Sequence, residues 1–329
     1  MQIEGLKDKF EQAYEKIRTS QNVLLITHER PDGDALSCVC AASLLLDGMN
    51  KKYTMFCADN PPYFFSFLPN INKFTKKSNF DLKNFDLIMI LDCGCLNRTA
   101  ISKKIMNERG PSQYIIEFDH HPHVDDYADL EIRIPKKSST SEILYHFFKA
   151  NGVETTKEIA NCVLTGILTD TANFLHPSAD VESIKISSDM ILSGASFPKI
   201  TKKTWQNKSL VSMKMLGGVL DSLKINKKYN VAFAAVTYEE IKNFKKKFKN
   251  NDDIFDLISS FLSNVKDVKA ILFLREEKFG EIKGSLRTNH PDIEIIKLAR
   301  ILGGGGHPRA AGFDIAGHIE KNGEGWKVV

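Results

Sequence analysis

The sequence predicts an α/β fold, in which a doubly wound, mostly parallel sheet is joined by a helical linker to a smaller α/β domain. Uniformly apolar segments, at residues 23–26 and 87–91, are typical of parallel strands that are covered on both faces. Segments with helical spacing alternate with these strands, as in βαβ units. Polar clusters follow the carboxyl ends of the strands, where doubly wound sheets bind their ligands. We therefore expect a parallel sheet with a site at one edge.

The elements of the first domain are predicted from spacing and from capping residues. Leu6, Phe10, Tyr14 and Ile17 recur every three or four residues and predict a first helix. The further elements are a strand at 23–26, a helix at 35–46 that Gly33 or Asp34 begins and Gly48 ends, a strand near 53–57, strands ending at Asp92 and Asp119, and helices at 140–150 and 158–169.

The second half of the chain begins with a helical pattern from residue 181 to about 220, which Gly217-Gly218 is expected to break. The predicted elements after it are strands at 231–236, 268–275, 281–287 and 312–315, with helices near 254–265 and from Pro291 or Asp292 to Leu302. This organisation predicts a first domain at 1–190, a helical linker at 191–220 and a second domain at 221–329.

The bulk composition excludes several classes of protein. At 329 residues, 42% of them hydrophobic and 26% charged, the chain resembles ordinary globular proteins. No apolar run approaches the ~20 residues that cross a bilayer, and residues 1–20 are too polar for a signal peptide. The six cysteines lack the paired spacing of a zinc site, so we expect reduced thiols in a cytoplasmic protein. The net charge of +4 permits an anionic partner without requiring one.

Carboxylate and imidazole side chains follow three of the predicted strands. His28, Asp32 and Asp34 form H-x3-D-x-D in a strand-to-helix turn, Asp92 ends a later apolar run, and Asp119-His120-His121 ends the next. Turn aspartates with a helix cap would explain the first group alone, but three such groups at one sheet edge favour a metal site. Because these donors exceed what one divalent ion needs, two ions about 3.5–4 Å apart are predicted.

With these motifs the chain resembles the DHH phosphoesterase family over nearly its whole length. The matching segments are residues 27–35, Leu91-Asp92, Asp119-His120-His121, Leu168-Thr169-Asp170-Thr171 with Phe174, and residues 303–312. The resemblance implies a phosphoric ester hydrolase with two Mn²⁺ ions, for which Mg²⁺ or Co²⁺ would be substitutes. It also implies that His28, Asp32 and Asp92 hold one ion, and that Asp34, Asp92, His120 and Asp170 hold the other.

The same resemblance implies roles for three further residues. His121 would face the scissile phosphate, and Asp119 would orient a histidine from behind. Arg98 matches a family arginine that would clamp a phosphate, although a surface salt bridge is the alternative. A water activated between the two ions would attack phosphorus in line with the leaving oxygen, while the ions and a protonated His121 stabilise the charge.

The glycine-rich segment at 303–312 predicts where the second domain binds substrate. No Lys-Ser/Thr pair follows its glycines, so it is not a phosphate-binding Walker loop. Uncovered backbone N–H groups beside basic side chains suit an anion, whereas a bare glycine run would be a flexible connection. The segment resembles the DHH-associated C-terminal domain, which implies substrate-binding roles for Ser285, Arg287, Gly304, Gly305, Gly306, His307 and Arg309.

Lysines at 242 and 245–249, interrupted by Phe244 and Phe248, allow two interpretations. They could bind a nucleic-acid backbone, but helical periodicity favours phenylalanines that anchor a helix whose lysines face water.

Long-DNA exonucleases of the family usually carry an extra oligonucleotide-binding domain, for which the chain has no room. Pyrophosphatase members have a different second domain.

The size and layout resemble the oligoribonuclease/3′-phosphoadenosine-5′-phosphate phosphatases and the stand-alone cyclic di-AMP phosphodiesterases of the family. The leading hypothesis is a Mn²⁺-dependent phosphodiesterase that hydrolyses short RNA to 5′-mononucleotides, with related activity on nucleotide bisphosphates and dinucleotides. A cyclic di-AMP or pApA phosphodiesterase is the alternative within this chemistry. A non-catalytic nucleotide or RNA sensor is the alternative of another class. Family members are often dimers, so a homodimer is also among the expectations.

Overall fold

The computed structural model describes residues 4–247, 254–262, 264–290, 292–322 and 325–329. The chain divides into two compact units, Met1–Asn207 and Lys208–Val329. The boundary between them falls inside the segment for which the sequence predicts a linker.

The N-terminal unit is built on a six-stranded sheet in which every pairing is parallel. Its strand order is β3-β2-β1-β4-β5-β6. The strands are β1 (Asn22–Ile26), β2 (Lys52–Phe56), β3 (Phe74–Thr75), β4 (Leu87–Leu91), β5 (Tyr114–Asp119) and β6 (Leu130–Arg133). The predicted parallel sheet is therefore confirmed. The short edge strands β3 and β6 were not predicted, because two to four residues carry too little periodicity.

Helices cover both faces of this sheet. They are α1 (Lys7–Thr19), α2 (Gly33–Gly48), α3 (Ser102–Glu108), α4 (Thr140–Ala150), α5 (Lys157–Asp170), α6 (Val181–Leu192) and α7 (Phe197–Thr204). Alternate residues of β1 enter different hydrophobic cores, since Val23 and Leu25 lie in one and Leu24 and Ile26 in the other. This division explains why the strand sequence is apolar at every position.

The helical stretch after residue 181 breaks at other places than the sequence predicts. Gly194, with φ +96°, ends α6, and Pro198 stands in the first turn of α7. The Ser209 side chain caps the next helix, α8 (Leu210–Asp221), which continues through Gly217 and Gly218. The predicted break at these two glycines is wrong, because an interior helical glycine costs only about 1 kcal/mol.

The C-terminal unit contains a mixed six-stranded sheet with the order β11-β12-β10-β9-β8-β7. Its β8–β9 pair is parallel, and the other pairs are antiparallel. The elements are β7 (Lys224–Asn226), β8 (Val231–Val236), α9 (Tyr238–Lys247), α10 (Ile254–Leu262), β9 (Ala270–Lys278), β10 (Glu281–Arg287), α11 (Ile296–Ile301), β11 (Gly305–His307), β12 (Ala310–Ala316), β13 (Ile319–Asn322) and β14 (Gly325–Val328). The β13–β14 hairpin forms a separate two-stranded sheet.

Two predictions in this unit concern segments that lie partly outside the described residues. Phe244 of α9 packs against the hydrophobic core of the unit, as the helical interpretation requires, whereas Phe248 and Lys249 lie outside the described residues. The helix predicted from residue 291 or 292 begins at Ile296, and Pro291 also lies outside them. Within the residues described, no helix combines the length and apolarity that crossing a membrane requires.

Candidate metal centre

Loops at the carboxyl ends of three neighbouring strands form the candidate site of the N-terminal unit. His28 follows β1, Asp92 follows β4 and Asp119 ends β5, and these strands are adjacent in the order β1-β4-β5. Asp34 lies in the first turn of α2, and Asp170 is the last residue of α5. The parallel sheet therefore brings together side chains that lie up to 142 residues apart in the sequence (170 − 28).

Backbone groups orient Asp32 and His28, the first two candidate ligands. Asp32 is its N-cap, and its Oδ1 accepts hydrogen bonds from the backbone N–H groups of Asp34 and Ala35, each at 3.0 Å. The His28 Nδ1–H donates to the Glu29 carbonyl at 2.7 Å, so in the neutral imidazole Nε2 is the acceptor atom. His28 Nε2 lies 3.6 Å from Asp32 Oδ2, is buried and has no hydrogen-bond partner. A buried, unprotonated ring nitrogen without a partner fits a metal ligand.

Asp34 is held by the N-terminus of α4. Its Oδ2 accepts from the Thr140 N–H at 2.6 Å, and its Oδ1 accepts from the Ser141 N–H at 3.0 Å. The first backbone N–H groups of a helix have no partner inside the helix and carry partial positive charge. Helix α4 thereby stabilises a buried carboxylate and still leaves lone pairs on both oxygens for a cation.

Asp92 combines an unusual backbone with an unfavourable electrostatic position. Its φ of +58° lies in the left-handed region, and its side chain is 2% exposed. The Thr140 hydroxyl donates to Asp92 Oδ1 at 2.8 Å. Burial raises the pKa of Asp92 well above its usual range, and four neighbouring aspartates raise it further. Such mutual repulsion is relieved when cations bind among the carboxylates.

The Asp119-His120-His121 segment presents its two imidazoles in different ways. Asp119 Oδ1 accepts from the His121 backbone N–H at 2.7 Å and from His121 Nδ1 at 2.8 Å, while Oδ2 accepts from the Gly94 N–H at 2.5 Å. His120 Nδ1 lies 3.3 Å from the Lys137 carbonyl, and its Nε2 lies 3.3 Å from Asp170 Oδ2. Asp119 thus orients His121, and His120 directs Nε2 into the carboxylate cluster.

The pKa values in this segment follow from burial and from these partners. Burial alone would raise the pKa of Asp119, but the His121 hydrogen bond and the Arg133 guanidinium hold it below its usual range. Burial lowers the pKa of His121, and the hydrogen bond with Asp119 opposes this shift. Burial also raises the pKa of Asp170 to about 8, although the nearby His120 imidazole favours its ionised form.

Two of the groups of three donors that could hold a metal ion together contain all six residues expected as ligands. One contains His28, Asp32 and Asp92, and the other contains Asp34, His120 and Asp170. Within each group the donor atoms lie within 4.8 Å of one another. Aspartate oxygens with histidine nitrogens suit a divalent ion of hard to borderline character, so these residues fit two such ions.

Four of the predicted substrate residues of the C-terminal unit lie on one face of its sheet, namely Ser285, Arg287, Gly305 and His307. Pairing places Ser285 opposite Gly312 and Gly312 opposite Gly305. In the next row on the same face, pairing aligns Arg287, Ala310 and His307. Because glycine and alanine occupy the middle strand, the backbone between these polar side chains is accessible to a ligand.

The other predicted residues near this face have different surroundings. Gly303 and Gly304 close α11 in a Schellman motif, with N–H donation to Arg300 at 3.1 Å and to Ala299 at 2.8 Å. A Cβ on Gly304 would approach the Gly312 carbonyl oxygen to 2.0 Å, so this glycine has a packing role of its own. Gly306 pairs with Ala311 in β11, and Arg309 is exposed in the β11–β12 turn.

Each unit matches a known family of protein domains. The family model described as DHH family, N-terminal domain, matches residues 22–167, and the DHHA1 domain model matches residues 228–324. The chain belongs to the DHH family. The resemblance found in the sequence is thereby confirmed, and this DHH-family protein is a phosphoesterase-type hydrolase of a metal-dependent family.

Curated relatives and a solved structure match this DHH-family protein over almost its whole length. The bifunctional oligoribonuclease and PAP phosphatase NrnA of Bacillus subtilis is 26% identical over 297 residues, which are 89% of each chain. The protein of the same name from Thermus thermophilus is 27% identical over 312 residues, 92% of this chain and 90% of the relative. An exopolyphosphatase-related protein from Bacteroides fragilis has a TM-score of 0.81 at 26% identity, covering 93% of this chain and 90% of that structure.

Arg98 lies beside the metal donors of the DHH domain. Its Nη1 donates to the Cys93 carbonyl at 3.1 Å, and it lies within 3.3 Å of the position that a Cβ on Gly94 would take. The same position is 3.4 Å from the His121 ring. Among the described residues Arg98 has no carboxylate within 4.0 Å, so the surface salt bridge considered as its alternative role is not present.

Sequence reasoning missed the residues that hold the aspartates from behind. Thr140 and Ser141 bind Asp34 and Asp92, and a Cβ on Gly166 of α5 would lie 2.4 Å from Asp34 Oδ1. The sequence did contain a signal for Thr140 and Ser141. Ser139 and Glu142 have the S-x-x-E spacing of a helix N-terminus, which marks the two residues between them as its first turn. No local signal marks Gly166, since its role depends on how closely α5 approaches α2.

Proposed function

We propose that this DHH-family hydrolase is a two-metal phosphodiesterase that degrades short oligoribonucleotides to 5′-mononucleotides and also dephosphorylates 3′-phosphoadenosine-5′-phosphate. The observation that carries the proposal is that two donor groups lie side by side at one sheet edge: the buried Asp92 belongs to the first, and its Oδ1 lies 3.6 Å from His120 Nε2 of the second. The substrates are proposed because the B. subtilis and T. thermophilus relatives are named oligoribonuclease and PAP phosphatase.

The proposed metal ions are two Mn²⁺, with Mg²⁺ or Co²⁺ as substitutes. His28, Asp32 and Asp92 would hold one ion, and Asp34, Asp92, His120 and Asp170 would hold the other. When bound in such a site, two divalent ions supply an activated water and neutralise charge on the phosphoryl oxygens.

His121, Asp119 and Arg98 are proposed to act on the substrate phosphate. Asp119 fixes the imidazole through Nδ1, so Nε2 is the atom from which a protonated His121 donates to a phosphoryl oxygen. A phosphate anion bound beside the ring raises the pKa of His121, which favours this protonated form. The Arg98 guanidinium pairs with a second phosphoryl oxygen and orients the phosphorus for in-line attack.

The DHHA1 domain is proposed to bind the nucleotide portion. Arg287 and His307 flank an accessible backbone surface at Ala310, and Ser285 adds a hydroxyl beside Gly312. A basic side chain beside uncovered backbone suits a nucleotide phosphate. All six cysteines are unpaired, in agreement with a reducing compartment, so we place this activity in the cytoplasm.

A substrate panel in Mn²⁺ and in Mg²⁺ tests the proposal. It contains 3′-phosphoadenosine-5′-phosphate, pApA, cyclic di-AMP and RNA of two to about ten nucleotides. We expect release of 5′-mononucleotide from the shortest RNA and pApA at higher kcat/KM than from longer RNA. A preference for cyclic di-AMP would replace the proposed substrate with the cyclic dinucleotide.

The variant Asp92→Asn separates an enzyme from a non-catalytic sensor. Asparagine keeps the size of the side chain and tolerates the left-handed backbone, but it removes the charge that both proposed ions would share. We expect turnover to fall at least ~10³-fold, because the two-ion site is lost. Nucleotide binding without turnover in the wild type, unchanged by the substitution, would support the sensor instead.

A further inference from the structure

A buried arginine behind the Asp119-His120-His121 segment has contacts that the proposed chemistry does not use. Arg133 ends the edge strand β6, where it pairs in register with Asp119. Its side chain is only 2% exposed. An arginine at an edge strand ordinarily extends into water, so burial of this one needs a reason.

The Arg133 guanidinium binds the turn that carries the histidines. Its Nη1 donates to the carbonyls of His121 at 2.9 Å and of Pro122 at 3.2 Å, and it lies 3.6 Å from Asp119 Oδ1. These two carbonyl contacts hold the backbone that directly follows the His121 side chain. The ring itself is held by Asp119 through Nδ1.

A second set of contacts fixes the guanidinium in turn. Arg133 Nη2 lies 2.5 Å from Glu117 Oε1, and the Tyr127 hydroxyl donates to the same oxygen. Arg133 Nε lies 3.2 Å from Glu131 Oε1. Both Glu117 and Tyr127 are buried, so the contact of Arg133 with Glu117 is shielded from competing water, whereas the Glu131 side chain is 31% exposed.

We propose that Arg133 is a positioning residue that holds the His121-Pro122 turn, so that the His121 imidazole keeps the orientation needed to meet a substrate phosphate. The inference rests on the proposed function and adds to it a residue outside the donor set. A planar guanidinium reaches Glu117 and both carbonyls at once, whereas a lysine ammonium is a point charge and does not. Displacement of a reacting group by about 1 Å lowers rate by ~10²-fold.

The test compares Arg133→Lys and Arg133→Ala with the wild type on a short RNA substrate. We expect kcat to fall by roughly 10–100-fold in both variants, with KM changed less than about twofold. Added guanidinium ion should restore kcat of Arg133→Ala in a saturable way, because it occupies the vacated space. In metal-free protein, the ¹⁵N shift of His121 Nδ1 should move in both variants, which tests ring orientation without turnover.

Arg109→Ala is the matched control. Arg109 also ties backbone to a carboxylate, with Nε 3.3 Å from the Gln113 carbonyl and an ion pair with Asp129, but it does not bind the His121-Pro122 turn. We expect it to lower the thermal midpoint while leaving kcat and the His121 shift unchanged.

Three results would overturn the inference: wild-type kcat in folded Arg133→Lys, loss of kcat in Arg133→Ala that guanidinium does not restore, or an equal loss in Arg109→Ala. If the wild-type protein cleaves no RNA or nucleotide substrate, the proposed function fails by itself. The His121 shift then still decides whether Arg133 positions the ring.

Discussion

Asp92 carries two unfavourable features at the residue scale. A left-handed backbone at a residue other than glycine costs of order 1–3 kcal/mol, and aspartate is among the residues that tolerate it best. A buried carboxylate among other carboxylates adds an electrostatic cost, shown by the raised pKa of Asp92. Both costs are explained when the side chain serves as a shared ligand, because cations then compensate the charge.

The Thr140 hydroxyl gives the sharpest residue-scale prediction. Thr140→Val removes the hydrogen bond to Asp92 Oδ1 and keeps both the side-chain shape and the backbone N–H that binds Asp34. We expect Mn²⁺ affinity to fall about tenfold, because an outer contact that orients a ligand is lost. Titration calorimetry measures the effect, and Thr140→Ser, which retains a hydroxyl, is the control. Equal affinity in the valine and serine variants would contradict this role.

At the scale of elements, the positions of the aspartates depend on the close approach of α2 and α5. A Cβ on Gly33 would lie 2.4 Å from Thr169 Oγ1, and a Cβ on Gly166 would lie 1.9 Å from Ser141 Oγ. Real Cβ atoms do not approach other atoms so closely. The two glycines therefore let the helices meet near the aspartates, with α4 contributing its N-terminus.

Gly166→Ala tests this packing. The added methyl group must displace Ser141 or Asp34, so we expect Mn²⁺ binding and turnover to fall by at least about tenfold. Gly217→Ala in α8 is the matched control, because no atom lies within 4 Å of its Cβ position. That variant should gain about 0.5–1 kcal/mol in free energy of unfolding and keep its activity. The contrast fails if Gly166→Ala binds Mn²⁺ as well as Gly217→Ala does.

The contact between α4 and α6 predicts a pH dependence of stability. Burial and the Lys137 ammonium lower the pKa of His146 from 6.5 to about 4, although Glu182 opposes the shift. Between these two values the unfolded chain binds more protons than the folded chain. The stabilising contribution of neutral His146 is therefore complete above pH 6.5 and declines as pH falls toward about 4.

Urea unfolding of metal-free protein near pH 7.5 and about pH 5 measures this contribution. His146→Gln keeps a polar side chain that does not titrate, so its free energy of unfolding should fall less between the two conditions. An identical fall in wild type and His146→Gln would show that His146 does not cause the pH dependence.

At the scale of the whole molecule, the proposed metal site and the proposed nucleotide-binding face lie in different units. All six proposed metal ligands lie in the unit Met1–Asn207, and the proposed nucleotide-binding face lies in Lys208–Val329. On this proposal the chemistry depends on the parallel sheet, whereas substrate selection depends on the mixed sheet. This separation predicts that metal ions and nucleotide ligands stabilise different parts of the chain.

Differential scanning calorimetry tests that separation. Mn²⁺ at about 100 times its Kd should stabilise the N-terminal unit by ~2.7 kcal/mol and raise its transition temperature. The transition of the C-terminal unit should stay in place, and a chelator should reverse the shift. In Asp92→Asn the Mn²⁺ response should disappear. A Mn²⁺ shift confined to the C-terminal unit would contradict the assigned ligands.

The sequence alone determined the parallel sheet and the segments that supply the donor atoms. Strands such as β1 and β4 are apolar at every position, and H-x3-D-x-D and Asp119-His120-His121 are local motifs that follow such strands. These features can be predicted from the sequence because they depend on neighbouring residues and on the rule that sites form at the carboxyl ends of parallel strands.

Only the tertiary structure decided which residues support the donors. Thr140 of the α4 N-terminus lies 106 residues from Asp34 and 48 from Asp92, and Gly166 is still farther from Asp34. Arg133 is closer to Asp119 in the sequence but lies on a different strand. Their roles arise from contacts between elements, which periodicity and local motifs do not encode. The glycines at 217 and 218 show the converse, since a local breaker signal was overridden by the continuing helix α8.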